Sequence, residues 1–265
     1  MPDAAEQSRG RDSSPRVVAS SSIAGQALIS RLGFETAGVA SESAFLIGEY
    51  ESALDLRPPG EHGRRGVQAH FPPDKTSANR SQGRGPRNPL VRAFGNRIEA
   101  ILDLTAGFGG DAYRLAEAGH RVRAFERHPA VYAILASGWE RALRDGAIPT
   151  AIADRLSFHY GDGGAEIESL VGPKLGVYVD PMYPTPRRRS AKPRRELQVL
   201  RLLLGQQNDA ADLVERAREK AARVVVKRPH HAESLVPGAS FEIETKLVRF
   251  DVYVNPAHME ATSDE

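Results

Sequence analysis

The chain has 265 residues, a formal net charge of +2, 40% hydrophobic and 26% charged residues, proportions of a soluble globular protein with one good core and a small second lobe. It has no cysteine, which excludes a disulfide framework, a thiolate metal site and a thiol nucleophile. No apolar run reaches membrane-spanning length and the Arg/Ser-rich start lacks a signal-peptide core, so a cytoplasmic protein without membrane or metal partners is expected.

Residues 1–22 show no periodicity and are expected to form a disordered leader. Residues 23–86 read as a small N-terminal lobe and a basic loop. In the lobe, Gln26–Leu32, Ala44–Glu49 and Ala53–Leu56 predict short strands or a short helix. The stretch 57–88 is rich in Pro, Gly and Arg and predicts a long loop, functional or disordered.

Residues 87–256 alternate between strand and helix patterns, and 257–265 form an acidic tail. Pro89 opens and Gly95 closes a short predicted helix. The apolar run Ile98–Leu104 predicts a buried strand, with a helix opening at Asp111. Arg121–Glu126, Leu156–Tyr160, Leu175–Val179 and Arg223–Lys227 predict further strands. Pro129–Arg144, Arg195–Leu204 and Asp209–Ala222 predict helices, the first punctuated by Pro129 and Gly146. Phe241–Lys246 and Val248–Val254 predict a closing hairpin. The alternation means an α/β fold: an open, mostly parallel, Rossmann-like sheet with an antiparallel C-terminal hairpin.

Ligands bind such a sheet off the carboxyl ends of its strands. The first strand ends in Thr105-Ala-Gly-Phe-Gly-Gly110, a turn that lets backbone approach a ligand and presents free N–H groups at a helix start. Gly107-x-Gly109-x-x-Ala112 satisfies a loose dinucleotide fingerprint, with Glu126 about 20 residues on. Glu126 is placed to accept from both hydroxyls of a ribose, which serves a nicotinamide dinucleotide and S-adenosylmethionine equally. Asp162, after Gly161, could accept from an adenine amine or cap a turn. Asp180-Pro-Met-Tyr-Pro184 resembles the Asp/Asn-Pro-Pro-aromatic signature of methyltransferases that act on exocyclic amines of nucleobases. There an acidic acceptor turns the amine lone pair toward a methyl group and the aromatic ring stacks on the base. Asp180 and Tyr183 are therefore the candidate catalytic residues.

Arg dominates the basic residues, clustering in Arg64–Arg97 and Arg187–Arg201. Two such patches suit a polyanion. Arg187, Arg188, Arg189, Lys192, Arg194 and Arg195 follow the Asp180 loop directly and are the first candidates for contact with an RNA backbone.

In order, Ile101–Ala112, Arg123-Ala-Phe-Glu-Arg-His-Pro129, Tyr178–Pro184, Ser190-Ala191, Val224-Val-Val-Lys-Arg-Pro229 and Arg249-Phe-Asp-Val-Tyr253 together resemble the RsmJ family, over roughly residues 50–254. These are bacterial methyltransferases of guanine N2 in small-subunit (16S) ribosomal RNA. The resemblance implies a class I methyltransferase fold, S-adenosylmethionine as cofactor, and ribosomal RNA or a ribosomal particle as partner. It places cofactor contacts on the glycine loop (Gly107, Gly109, Gly110), Asp111, Glu126, Arg127, Gly161, Asp162 and Asp180. Gly110 stands where the family more often carries Arg, and Gly161-Asp162 replaces a small hydroxyl pair. Two other functions share these features: a nicotinamide-dependent oxidoreductase, and a non-catalytic RNA-binding module on the same fold.

Overall fold

The structure, a computed structural model, describes residues 15–21, 25–37, 41–73, 87–169, 174–183, 194–205 and 209–258. Two sheets organise it. The first holds β1 (Val17–Ser20), β2 (Thr36–Ala37), β3 (Phe45–Tyr50) and β4 (Ala53–Arg57) in the order β2-β1-β3-β4, with α1 (Gln26–Arg31) between β1 and β2. The expected leader therefore contributes its last residues to a strand. Val18 and Ala19 are buried, and β1 pairs with both β2 and β3. Four residues whose partners lie far along the chain give no local signal.

The second sheet holds seven strands: β5 (Ala100–Asp103), β6 (Arg121–Glu126), β7 (Leu156–Tyr160), β8 (Leu175–Val179), β9 (Arg223–Pro229), β10 (Phe241–Glu244) and β11 (Val248–Val254). Their order is β10-β11-β9-β8-β5-β6-β7. The closing hairpin forms the expected antiparallel edge. β11 inserts between β9 and β10 and is antiparallel to both, leaving β10 at the rim. Period-2 alternation serves two buried faces: Ile101, Tyr178, Val225 and Val252 pack into one apolar cluster, and Leu102, Val177, Val224 and Val226 into the other.

Helices α2 (Pro89–Phe94), α3 (Gly110–Glu117), α4 (Pro129–Arg144) and α6 (Arg195–Leu204) supply the first cluster, and α7 (Ala210–Lys220) the second. A short α5 (Thr150–Ala153) precedes β7. Asn88 caps α2 by accepting from the Leu90 N–H at 2.9 Å, with Pro89 at the first turn.

The stretch expected as a loop from 57 onward is tied down as far as residue 73. Buried Asp55 accepts from the Gly66 N–H at 2.6 Å and pairs with Arg57, while Val67 exchanges backbone bonds with Leu56. Phe71 then enters the core, its ring 5.2 Å from Trp139 and 5.7 Å from Phe158. A polar composition hid this because the anchors are one buried carboxylate and one aromatic. Both sheets consequently share one apolar cluster, and the Leu54 N–H donates to Ser137 on α4 at 2.9 Å.

Contact between α4 and the 67–71 segment is tight at Gly138, where an added Cβ would lie 2.3 Å from the Ala69 carbonyl oxygen. Gly138→Ala must push helix and segment apart and should cost about 1–3 kcal/mol, read as a lower urea midpoint. An unchanged midpoint would mean that the segment does not bear on the helix.

Candidate active site at the sheet switch point

β5 is the strand from which the chain builds outward in both directions, to β6 and β7 on one side and to β8 and β9 on the other. Beyond Asp103 its backbone divides. The Leu104 N–H bonds to Tyr178 on the β8 side at 3.0 Å and the Ala106 N–H to Phe125 on the β6 side at 2.9 Å. The fork opens a cleft off the carboxyl ends, and Thr105, Gly107, Glu126, Arg127, Asp162 and Asp180 line it. The structure thus brings five of the candidate residues, plus Thr105, to one place.

Glu126 is 6% exposed at the end of β6. Its Oε2 accepts from the Gly107 N–H at 3.0 Å and its Oε1 from the His128 N–H at 2.7 Å, just before α4 begins. Burial pushes this carboxyl up to about 7, against the pull of those two bonds. Gly107, at φ 55°, faces open space: an added Cβ would meet only the Thr105 carbonyl oxygen, at 3.9 Å.

The other glycines do different work. Gly109 adopts φ 78°, and a Cβ there would lie 2.7 Å from Leu135 and 2.8 Å from both Phe71 and Phe158. Packing behind the loop leaves no room for a side chain there. Gly110 is the first residue of α3, where N–H groups have no intrahelical partner. Gly161, at φ 144°, hands its N–H to the Glu126 carbonyl at 3.1 Å. Asp162 accepts from the Gly164 N–H at 2.9 Å, so it caps the turn that follows while lining the cleft. Arg127 spans the cleft mouth to pair with both carboxylate oxygens of Asp209 before α7, and this pair raises its pKa.

Asp111 does not line the cleft but reaches it through a residue the sequence reading left without a role. Lys227, on β9, donates to Asp111 Oδ2 and to Asp180 Oδ2, each at 2.7 Å. Tyr178 donates to the same Asp111 oxygen at 2.9 Å, and Arg114 takes Oδ1 at 2.9 Å. Burial works against the Asp111 charge, yet Lys227 and Arg114 outweigh it and hold the carboxyl well below its usual range. Asp180 keeps a raised pKa, because burial outweighs the Lys227 attraction there. The Asp180 N–H donates to Thr105 Oγ1 at 2.7 Å, which pins the start of the 180–183 loop to the fork. The signal for Lys227 was present in the sequence: an ionisable residue ending three valines at the ligand edge of a parallel sheet.

Tyr183 is half-buried, and its hydroxyl lies inside with no hydrogen-bond partner among the described residues. Burial, with the Asp180 charge adding to it, raises this phenol. Of the basic run, Arg187, Arg188, Arg189 and Lys192 fall outside the described residues. Arg195 pairs with Glu61 at 2.7 Å, and both side chains remain partly exposed. Arg194 is exposed and makes no ion pair among the described residues.

Asp103, also unassigned by its sequence context, is 2% exposed and accepts from the Thr105 N–H at 2.9 Å. Burial, augmented by the charges of Asp111, Asp180 and Glu126, pushes it up to about 8. Between the unfolded Asp pKa of about 4 and this value the native state holds a proton that the unfolded chain has lost, so stability falls as pH rises and levels out beyond. Asp103→Asn should flatten that decline in melting temperature between about pH 5 and 8. A slope identical to the wild type would show that Asp103 does not hold the proton.

Comparison with known proteins follows the same outline. The sequence model of a family described as SAM-dependent methyltransferase matches residues 27–255, so the likeness begins ahead of residue 50 and takes in most of the N-terminal sheet. Ribosomal RNA small subunit methyltransferase J of Aliivibrio fischeri is 36% identical over 245 residues, covering 88% of this chain and 93% of that protein. The protein of the same name from Shewanella amazonensis is 38% identical over 213 residues, covering 78% and 85%. The crystal structure of a SAM-dependent methyltransferase from Neisseria gonorrhoeae superposes with a TM-score of 0.67 at 28% identity, covering 94% of this chain and 97% of that one. With the seven-stranded order and a carboxylate at each of its central strand ends, these matches establish that the chain is a Rossmann-like, class I S-adenosylmethionine-dependent methyltransferase of the RsmJ family.

Proposed function

We propose that this protein transfers a methyl group from S-adenosylmethionine to the exocyclic N2 amine of a guanosine in small-subunit ribosomal RNA, presented as RNA or as part of a ribosomal particle in the cytoplasm. The observation that carries the reading is the placement of the Asp180 carboxylate on the same cleft as the Glu126 carboxylate and Gly107. The residues present fit the cofactor. Each Glu126 oxygen spends one lone pair on backbone and keeps another for a ribose hydroxyl. The glycine loop opens onto the cleft at Gly107, where no Cβ intervenes.

When bound, S-adenosylmethionine supplies an electrophilic methyl group and retains the electron pair of the broken carbon–sulfur bond. The guanine amine is nearly non-basic, because its lone pair is delocalised into the ring. An acceptor that holds one N–H lets the nitrogen pyramidalise and direct that pair outward. Asp180 is this acceptor, and it takes the proton the nitrogen sheds as it gains the methyl carbon. Tyr183, with its hydroxyl end inside, offers the rest of its ring for base stacking. Arg194 and the neighbouring run from Arg187 to Lys192 would follow the RNA backbone. A nicotinamide enzyme would need a hydride-transfer constellation, and the cleft instead offers an acceptor suited to an amine.

Two outcomes test the assignment. Glu126→Ala should bind S-adenosylhomocysteine at least about tenfold more weakly by titration calorimetry, given the strength of charge-assisted bonds. In the wild type that affinity should weaken as pH falls through about 7, where Glu126 gains its proton. Glu126→Gln should lack this step, and unchanged affinity in both variants would remove Glu126 from the ribose. Asp180→Ala should slow single-turnover methylation of small-subunit particles by roughly 10²–10⁴-fold at saturating cofactor. A near-normal rate would sink the amine-activation role.

A further inference from the structure

Lys227 gives two of its three protons to two different carboxylates, each at 2.7 Å, and lies 24% exposed at the carboxyl end of β9. The two acceptors differ in what else they touch. Asp111 has both oxygens occupied, by Arg114 on one side and by Tyr178 and Lys227 on the other. Asp180 has one oxygen on Lys227, while its Oδ1 meets no donor among the described residues and its carboxyl lines the cleft.

Two carboxylate oxygens bound to one nitrogen cannot both stay charged once the cation is removed, because like charges so close force a proton onto one of them. That proton would fall on Asp180, since Asp111 keeps Arg114 and Tyr178.

We propose that Lys227 is a positioning residue for methyl transfer: clamped between Asp111 and Asp180, its ammonium keeps Asp180 a carboxylate, occupies one of its oxygens and leaves the other to the substrate amine. The inference rests on the reading of Asp180 as the amine's acceptor. Among the described residues, the charged and titratable groups around Asp180 are Asp103 on β5, Asp111 with Arg114 on α3, Glu126 on β6, Tyr178 on β8, Lys227 on β9 and Tyr183 beside it, with Arg127, Asp162 and Asp209 lining the same cleft. Asp103 stays neutral to about 8, so it adds no charge near neutrality. Asp111 is thus the anion that acts against Asp180 through the shared cation, and Lys227 the cation that acts for it. An ammonium squeezed by two anions is itself held protonated: burial lowers Lys227, but Asp111 and Asp180 together raise it above the ordinary lysine value. It therefore stays a fixed cation and takes no part as acid or base.

The test is a carboxyl carbon NMR titration of the cofactor-free full chain, with the Asp180 signal assigned by its loss in Asp180→Asn. Lys227→Met should move the Asp180 midpoint upward by about one pH unit or more, and Lys227→Arg should restore it toward the wild type. Asp111→Asn should move it downward, since a like charge is gone and the ammonium turns wholly to Asp180. The acid limb of single-turnover methylation should shift with each midpoint. A structural lysine that only filled space would move neither reading. If Lys227→Met fails to fold, Asp111→Asn decides alone, and an unmoved midpoint there overturns the proposal. Should Asp180→Asn methylate normally, the acceptor reading falls; should it be inactive while the midpoint ignores Lys227, only the role of Lys227 falls.

Discussion

Four carboxyl groups, Asp103, Asp111, Glu126 and Asp180, converge at the carboxyl ends of three neighbouring strands, and a single ammonium stands between two of them. No low-dielectric site tolerates four bare carboxylates, so each is neutralised in its own way. Asp111 is neutralised by ion pairs and Asp103 by keeping its proton. Glu126 is eased by two backbone N–H groups next to a helix N-terminus, and Asp180 by half of one lysine. The result is a graded set at one edge of the sheet: Asp111 a permanent anion, Asp103 a neutral acid, Glu126 poised near neutrality, and Asp180 raised by burial against the pull of Lys227. A methyltransferase that must hold a sulfonium and also accept a proton needs such a gradation.

The topology is what brings these groups together. A strand order that reverses about β5 forces the first two loops apart, and whatever follows β5, β6 and β8 must face the opening. Thr105 illustrates the economy of the fork. Its N–H satisfies Asp103 and its hydroxyl accepts from the Asp180 backbone, so one residue joins the glycine loop to the 180–183 loop. The Arg127–Asp209 pair closes the far side by linking the end of β6 to the start of α7.

What was legible in the sequence follows from which forces are local. Arg121–Glu126, Pro129–Arg144, Leu156–Tyr160, Leu175–Val179 and Arg195–Leu204 have the same bounds in sequence and structure. Their apolar periodicity runs through the whole element, and Pro or Gly marks several of the ends. Glu126 and Asp180 were legible because a strand end followed by a turn announces the ligand edge. Lys227 showed only as an ionisable residue after three valines, its two carboxylate partners lying 116 and 47 residues away, and Asp103 gave no sign because its role rests on burial that a composition cannot report. The Arg195–Glu61 pair was hidden in the same way, since a cation in a basic run gives no sign of a partner 134 residues away. The short strands β1 and β2 belong with these, being defined by pairing with residues elsewhere in the chain.

The glycine loop carries the same lesson one step further, to the N-terminal sheet. Gly107 and Gly109 look alike in the motif, yet only Gly107 faces the cleft. Behind Gly109 stand Phe71 and Phe158, and Phe71 also meets Tyr113 on α3 with ring centres 6.0 Å apart. Phe71 is held there by a segment that Asp55, Leu56 and Gly138 fix to β4 and α4. A chain of close contacts therefore runs from the four-stranded sheet to the loop that opens on the cofactor cleft. Removing that sheet would leave the α/β sheet its strands but take away the wall against which its glycine turn is shaped. The N-terminal sheet in this sense supports the glycine turn, and the family match, reaching back to residue 27, takes in most of that sheet.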